Sequence, residues 1–164
     1  MKLKWDFSEW LEFAERLTDV EQFDIYIGKV AQEIAKKLHQ MLITNTPVDF
    51  GTLQAFWQTE ENYSYIIEKR GSSYEVTLIN KAIYATWVND GHKQRPGRFI
   101  PGYWEGNHFR YDPNADSGMV LKKPWVQGRF FVEKSILQVE NSVVIEKLLN
   151  TQLKKWFRWC VNGN

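Results

Sequence analysis

Between Val20 and Met41 the apolar positions fall at Val20, Phe23, Ile27, Val30, Ile34, Leu38 and Met41, always three or four residues apart. That spacing places them on one stripe and predicts a long amphipathic helix over about 19–44. Thr18 with Glu21 reads as a capping box at its start. Acids crowd its first turns, and Lys36, Lys37 and His39 stand toward its end, as the helix dipole favours. Asn45-Thr46-Pro47 ends it, because proline disfavours helical backbone in the residue before it. A shorter helix is predicted over 7–17, with Asp6 and Glu9 as its cap pair.

After Pro47 the period changes. Strands are predicted within 53–80, at about 53–58, 63–69 and 73–80. In the last, Tyr74, Val76 and Leu78 alternate with Glu75 and Thr77, the pattern of a half-buried strand. Gly71-Ser72-Ser73 joins the last two as a hairpin. Residues 83–90 read as a short helix, with Gly91 as its left-handed stop. Residues 91–118 hold five Gly, three Pro and the basic residues Lys93, Arg95, Arg98 and Arg110, and read as a long loop. Met119-Val120-Leu121 reads as a fourth strand. Helical spacing returns over 128–161: Val132, Ile136 and Val139 first, then, after a Ser142 cap, Ile145, Leu149, Leu153, Trp156 and Cys160.

These elements add up to an α+β fold. A small antiparallel sheet of three to five strands packs against the long N-terminal helix and a C-terminal helix pair, with a long basic loop. The length suits a single domain over 1–164, and no repeat or linker interrupts it.

Eight Trp and ten Phe are more rings than a small core needs, which places some of them on a partner surface. The formal net charge is +1, so bulk attraction to a polyanion is not expected. Locally the charge is uneven. From Trp5 to Asp24 there are seven acids against Arg16 alone; from Gly91 to Phe130, seven cations stand against Glu105, Asp112 and Asp116. Such asymmetry suits head-to-tail self-association, or a basic face near nucleic acid. The lone Cys160 allows no intramolecular disulfide and fits a reducing compartment. No apolar run approaches the ~20 residues that span a bilayer. Met1-Lys2-Leu3-Lys4 leads into acids, so no signal peptide is read and a cytoplasmic site of synthesis is expected.

Candidate chemistry is sparse. Asp112-Pro113-Asn114-Ala115-Asp116-Ser117-Gly118 opens like a calcium loop, but glycine is one position late and Lys123 stands where a bidentate glutamate is required. Side-chain-capped turns are the simpler expectation. Asp90 and His92 lack further ligands at metal spacing. No glycine pattern of a phosphate cradle is present. His92 and His108, with Arg95 and Arg98, are the residues a small RNA-cleaving toxin or nuclease would use for acid–base cleavage. Lys93, Arg95 and Arg98 are also the best candidates for touching phosphates, as in a non-catalytic DNA-binding module. Cys160 follows Trp156, Phe157 and Trp159 and reads as core.

One resemblance runs through much of the chain. Thr46-Pro47-Val48-Asp49-Phe50-Gly51-Thr52-Leu53 follows the long helix; Tyr84-Ala85, Val88 and Gly91-His92 come next. Pro96-Gly97-Arg98-Phe99-Ile100-Pro101-Gly102 and Val126-Gln127-Gly128-Arg129-Phe130-Phe131 complete the series. In order and spacing this resembles the tail-completion, or head–tail joining (neck), proteins of long-tailed phages, the siphophages, over about residues 20–160. The chain departs from that pattern at Phe50, where threonine is usual, at Gln54, where a basic residue is common, and at Asn89-Asp90, where glutamate is common. The motif residues Pro47, Asp49, Gly51, Leu53, Tyr84, Ala85 and Gly91 read as structural. Pro47 stops the helix, Asp49 accepts backbone N–H bonds, Gly51 takes positive φ, and Tyr84 and Trp87 anchor the short helix.

The resemblance implies a minor tail component with no catalytic step and no cofactor or metal. It implies a place in the virion at the head–tail interface, after assembly in the bacterial host cytoplasm. It implies a homo-oligomeric ring of six subunits, with portal/connector and tail-tube proteins as partners, non-specific contact with phage DNA, and no membrane. Lys93, Arg95 and Arg98 would then face the DNA lumen or the neighbouring subunit, and the acidic N-terminal stretch would face outward or toward the adjoining ring.

Overall fold

The computed structural model describes residues 15–48, 51–70 and 73–163. The helix read over 7–17 lies outside these residues except for its final turn at 15–17, as do Asp49, Phe50 and the Gly71-Ser72 turn. The chain forms two compact units. Residues up to 41, 65–78 and from 136 onward make the first, and residues 42–64 and 79–135 make the second.

Helix α1 spans Val20–Asn45. Its cap is Asp19 rather than the expected Thr18. Asp19 Oδ1 accepts the Gln22 N–H at 2.9 Å, while the Thr18 hydroxyl turns back and donates to the Glu15 carbonyl at 2.9 Å. The cap thus sits one residue later than the sequence suggests. At the other end both the N–H and the hydroxyl of Thr46 donate to the Leu42 carbonyl, at 2.9 and 2.6 Å, before Pro47. Both bonds satisfy a carbonyl that the helix leaves open, with Thr46 itself buried.

In the first unit the buried line of α1 is Val30, Ala31 and Ala35. The two alanines stand outside the expected stripe. Small side chains let a neighbour approach closely, and large ones on either side are only half-buried. Strands β1 (Tyr63–Arg70) and β2 (Ser73–Asn80) pair as expected. Their residues in this unit lie on α1: the Tyr74 ring stands against Gly28, and its hydroxyl donates to the Asp24 carbonyl at 3.0 Å. Lys69 pairs with the Asp24 carboxylate. Phe23 meets Trp156 edge to face with ring centroids 5.1 Å apart. Cys160 is fully buried, and Arg16 donates to its carbonyl.

The second unit departs most from expectation. Residues Thr52–Gln58 form helix α2, not a strand. Leu53 and Trp57, four apart, are both buried, and the Ala55 N–H bonds to the Gly51 carbonyl at 2.8 Å. The sequence Leu-Gln-Ala-Phe-Trp satisfies either period. The buried pair at i and i+4 decides it for the helix. Helix α3 spans Ala85–Asp90 and stops at Gly91, whose φ is 81° and whose N–H bonds to the Trp87 carbonyl.

The stretch read as a loop is mostly strand. It contains β3 (Gly91–Lys93), β4 (Phe99–Glu105) and β5 (His108–Tyr111), followed by β6 (Gly118–Val120) and β7 (Trp125–Gln127). β3 pairs antiparallel with β7, and β4 lies between β5 and β6. Three of the five glycines that suggested a loop, Gly91, Gly102 and Gly118, serve close strand contact instead. A Cβ on Gly91 would lie 2.3 Å from the Val126 carbonyl oxygen, and one on Gly102 would lie 2.1 Å from that of Arg110. The Asp112 carboxylate does cap a turn, accepting the Asn114 N–H at 2.9 Å.

Helix α4 (Phe131–Glu140) follows Phe130, whose φ of 50° is unusual for a residue with a side chain. Helix α5 (Val143–Asn162) closes the chain. Ser142 precedes α5 as expected, but its hydroxyl donates backward to the Val139 carbonyl at 2.7 Å.

Candidate functional site

In the second unit the segment that follows α1, the start of α2, helix α3 and the β3–β7 pair with Arg129 beyond it line a groove of about 680 Å³. Pro47, Val48 and Gly51 form one side, with Leu53 buried beneath. Tyr84, Trp87 and Val88 supply the α3 side; His92, Val126, Gln127 and Arg129 supply the strand side. The lining is mainly apolar, and Val48, Trp87 and Val126 remain exposed at its rim. An open apolar surface of this kind marks an interaction site more often than a core defect.

Local backbone features build it. Pro47 ends α1, Gly51 turns the chain at φ 76°, and α2 begins at once, so Val48 is left outside. On the opposite side Gly91 lets β3 run against Val126. Trp87 does not anchor α3 as expected. It is 59% exposed, and its ring stands 6.0 Å from that of His92. The buried Nδ1 of His92 has no hydrogen-bond partner.

Behind the groove lies a polar lock that sequence reasoning missed. Asn89 is buried. Its carbonyl accepts the Phe130 N–H at 2.9 Å, and its side-chain oxygen accepts the Val132 N–H at 3.0 Å. Its side-chain nitrogen donates to Asp90 at 2.6 Å and to both carboxylate oxygens of Glu133. The Arg129 N–H adds a bond to the Val88 carbonyl at 2.9 Å. One residue of α3 therefore caps α4, and Asn89 serves as the N-cap from a distance. The Asn89-Asp90 pair carries no local signal of this role, because its partners at 130–133 are remote in sequence.

Of the sequence-predicted residues, Pro47, Gly51, Leu53 and Tyr84 come together on the groove. Ala85 opens α3 and Gly91 ends it. Asp49 lies outside the described residues. Lys93, Arg95 and Arg98 are all exposed; Lys93 pairs with Trp125 across β3–β7, and Arg95 and Arg98 close the turn that leads to β4. His92 and His108 fall on different sheets, with His108 opposite Glu105 at the end of β4–β5. Among the described residues, no group of three His, Cys, Asp or Glu side chains is placed to hold a metal ion. No described helix is long and apolar enough to cross a membrane.

Residues 10–91 match a protein family described as "Bacteriophage HK97-gp10, putative tail-component". The chain belongs to the HK97-gp10-like family. All seven motif residues from Pro47 to Gly91 fall inside the matched span, and so does most of the groove. Two relatives from Bacillus subtilis (strain 168) extend the likeness beyond residue 91. The phage-like element PBSX protein XkdI is 30% identical over 137 residues, covering 81% of this chain and 82% of XkdI. Protein YqbI is 38% identical over 157 residues, covering 92% of each. No solved structure matches the chain. As a member of a phage tail-component family, it is a phage structural protein with a mixed helix-and-sheet fold, consistent with the resemblance noted from its motifs.

Proposed function

We propose that the protein is a non-catalytic component of a phage or prophage virion that completes the tail or joins it to the filled head. It acts at the neck, as a ring between the portal–connector complex and the tail tube. The observation that carries this reading is the convergence of Pro47, Gly51, Leu53 and Tyr84 on an open apolar groove within the span that matches a tail-component family. A groove with exposed Val48, Trp87 and Val126 suits a standing protein contact better than turnover of a small substrate. XkdI, as its name says, comes from a phage-like element. Lys93, Arg95 and Arg98 stand exposed along one short stretch, where they face DNA in the lumen or an acidic neighbour.

Deleting the gene from its phage or prophage and imaging the induced lysate tests the reading. Filled heads beside separate, full-length tails are expected. Normally joined particles would overturn the neck role. Replacing Lys93, Arg95 and Arg98 together by Ala should lower the yield of joined, infectious particles; an unchanged yield would remove the loop from the mechanism.

A further inference from the structure

The groove described above leaves Val48, Trp87 and Val126 open to solvent. We propose that it receives the segment Trp5–Phe13 of a second copy of this chain. The proposal rests on the neck reading and names the contact between adjacent subunits.

The groove sets the chemistry of its ligand. Its walls are apolar, and Arg129 is the charged side chain that lines it among the described residues. His92 adds a buried ring nitrogen with no partner. An apolar trough with a cationic edge favours a peptide that combines large rings with carboxylates.

The chain carries such a peptide. Trp5-Asp6-Phe7-Ser8-Glu9-Trp10-Leu11-Glu12-Phe13 interleaves four aromatic rings with three acids and has no cation. Aromatic side chains of this kind are the usual anchors of protein interfaces. Charge also decides the geometry. Two acidic segments repel each other, and two grooves would set Arg129 against the Arg129 of the other copy. Acidic segment to cationic groove is the attractive pairing, and it joins different patches on the two copies. Such a heterologous contact repeats from copy to copy and closes into a ring when the rotation allows.

The full-length chain, followed by sedimentation velocity over a concentration series at low salt, tests this. Wild type should self-associate, and salt should weaken it. Arg129→Glu alone, and Glu9→Lys with Glu12→Lys together, should each weaken association at least tenfold. An equimolar mixture of these two variants should restore it, because each groove then meets a segment of opposite charge. Trp87→Ala, at an exposed position, should also weaken association at least tenfold. A wild type that stays monomeric, variants that associate like wild type, or a mixture that stays apart would each overturn the proposal. In assembled particles, a photo-crosslinking residue at position 87 should give a dimer joined to the peptide 5–13; a crosslink to any other protein overturns it. The neck reading fails separately, if the deletion lysate contains joined particles. If that lysate shows unjoined heads and tails while the Arg129→Glu phage joins normally, this contact falls and the neck reading stands.

Discussion

Asn89 donates to both carboxylate oxygens of Glu133, at 3.1 and 3.0 Å, across 44 positions of sequence. With the Val132 N–H on its side-chain oxygen, it fixes the first turn of α4 to the end of α3. Asn89→Ala should cost about 2 kcal/mol, since it strands a helix N-terminal donor and removes a charge-assisted bond. Asn89→Asp should cost more, by placing a third carboxylate against Asp90 and Glu133. Urea midpoints of the three proteins check both statements.

Two glycines should be far less replaceable than a third. Gly91→Ala and Gly102→Ala drive a Cβ into a facing carbonyl oxygen, so the strands must separate. Gly97 also has positive φ, but a Cβ added there would meet no atom within 4 Å, so Gly97→Ala should cost only the left-handed penalty of ~1 kcal/mol. Thermal melts of the three variants should show Gly97→Ala well above the other two.

Burial pushes the Cys160 thiol above its ordinary value, while the nearby Arg16 charge pulls the other way and does not prevail. The thiol is then neutral in the folded chain. Its contribution to stability is present below the unfolded pKa and is lost as pH rises through the folded one, in the range above about 9. At pH 8 a thiol reagent should react roughly tenfold or more slowly with folded than with unfolded protein. Equal rates would show that the site opens freely.

Tyr74 and Lys69 reach Asp24 by different atoms, and their losses should differ in kind. Tyr74→Phe removes a bond to a backbone carbonyl and should cost ~1 kcal/mol at any salt concentration. The Asp24 hydrogen bond holds the exposed Lys69 ammonium above its ordinary pKa. That support is complete at neutral pH and is lost at strongly alkaline pH. Lys69→Met should therefore matter little, and less still in high salt. Denaturation at low and high salt separates the two cases.

What is legible in the sequence is what a local period can encode. Helix α1, the hairpin and α5 follow from apolar spacing over many residues. Thr52–Gln58 reads wrongly as a strand because seven residues rich in rings fit two periods, and only the burial of Leu53 and Trp57 together separates them. Strands β3 to β5 are hidden because glycine is taken as punctuation, whereas Gly91 and Gly102 mark points where strands come closest; β6 is legible as Met119-Val120. The groove is half visible. Pro47, Gly51, Leu53 and Tyr84 stand out as a motif, but Val126 and Arg129 join them from a strand and a turn far along the chain. Asn89 gives no sign of its role, because a cap supplied from another helix leaves no local pattern.

The sheet of β4, β5 and β6 shows rings to solvent on both sides. Phe99, Tyr103 and Val120 are more than half exposed on one face, and Trp104 and Tyr111 on the other. Three strands wet on both sides rely mainly on their backbone ladder, and a ladder alone is a weak source of order. Amides of β5 should exchange with solvent sooner than those in the middle of α1. Once a neighbouring molecule covers either face, the same amides should fall silent. This sheet would then report on assembly: restless in the free chain, and quiet only in the finished particle.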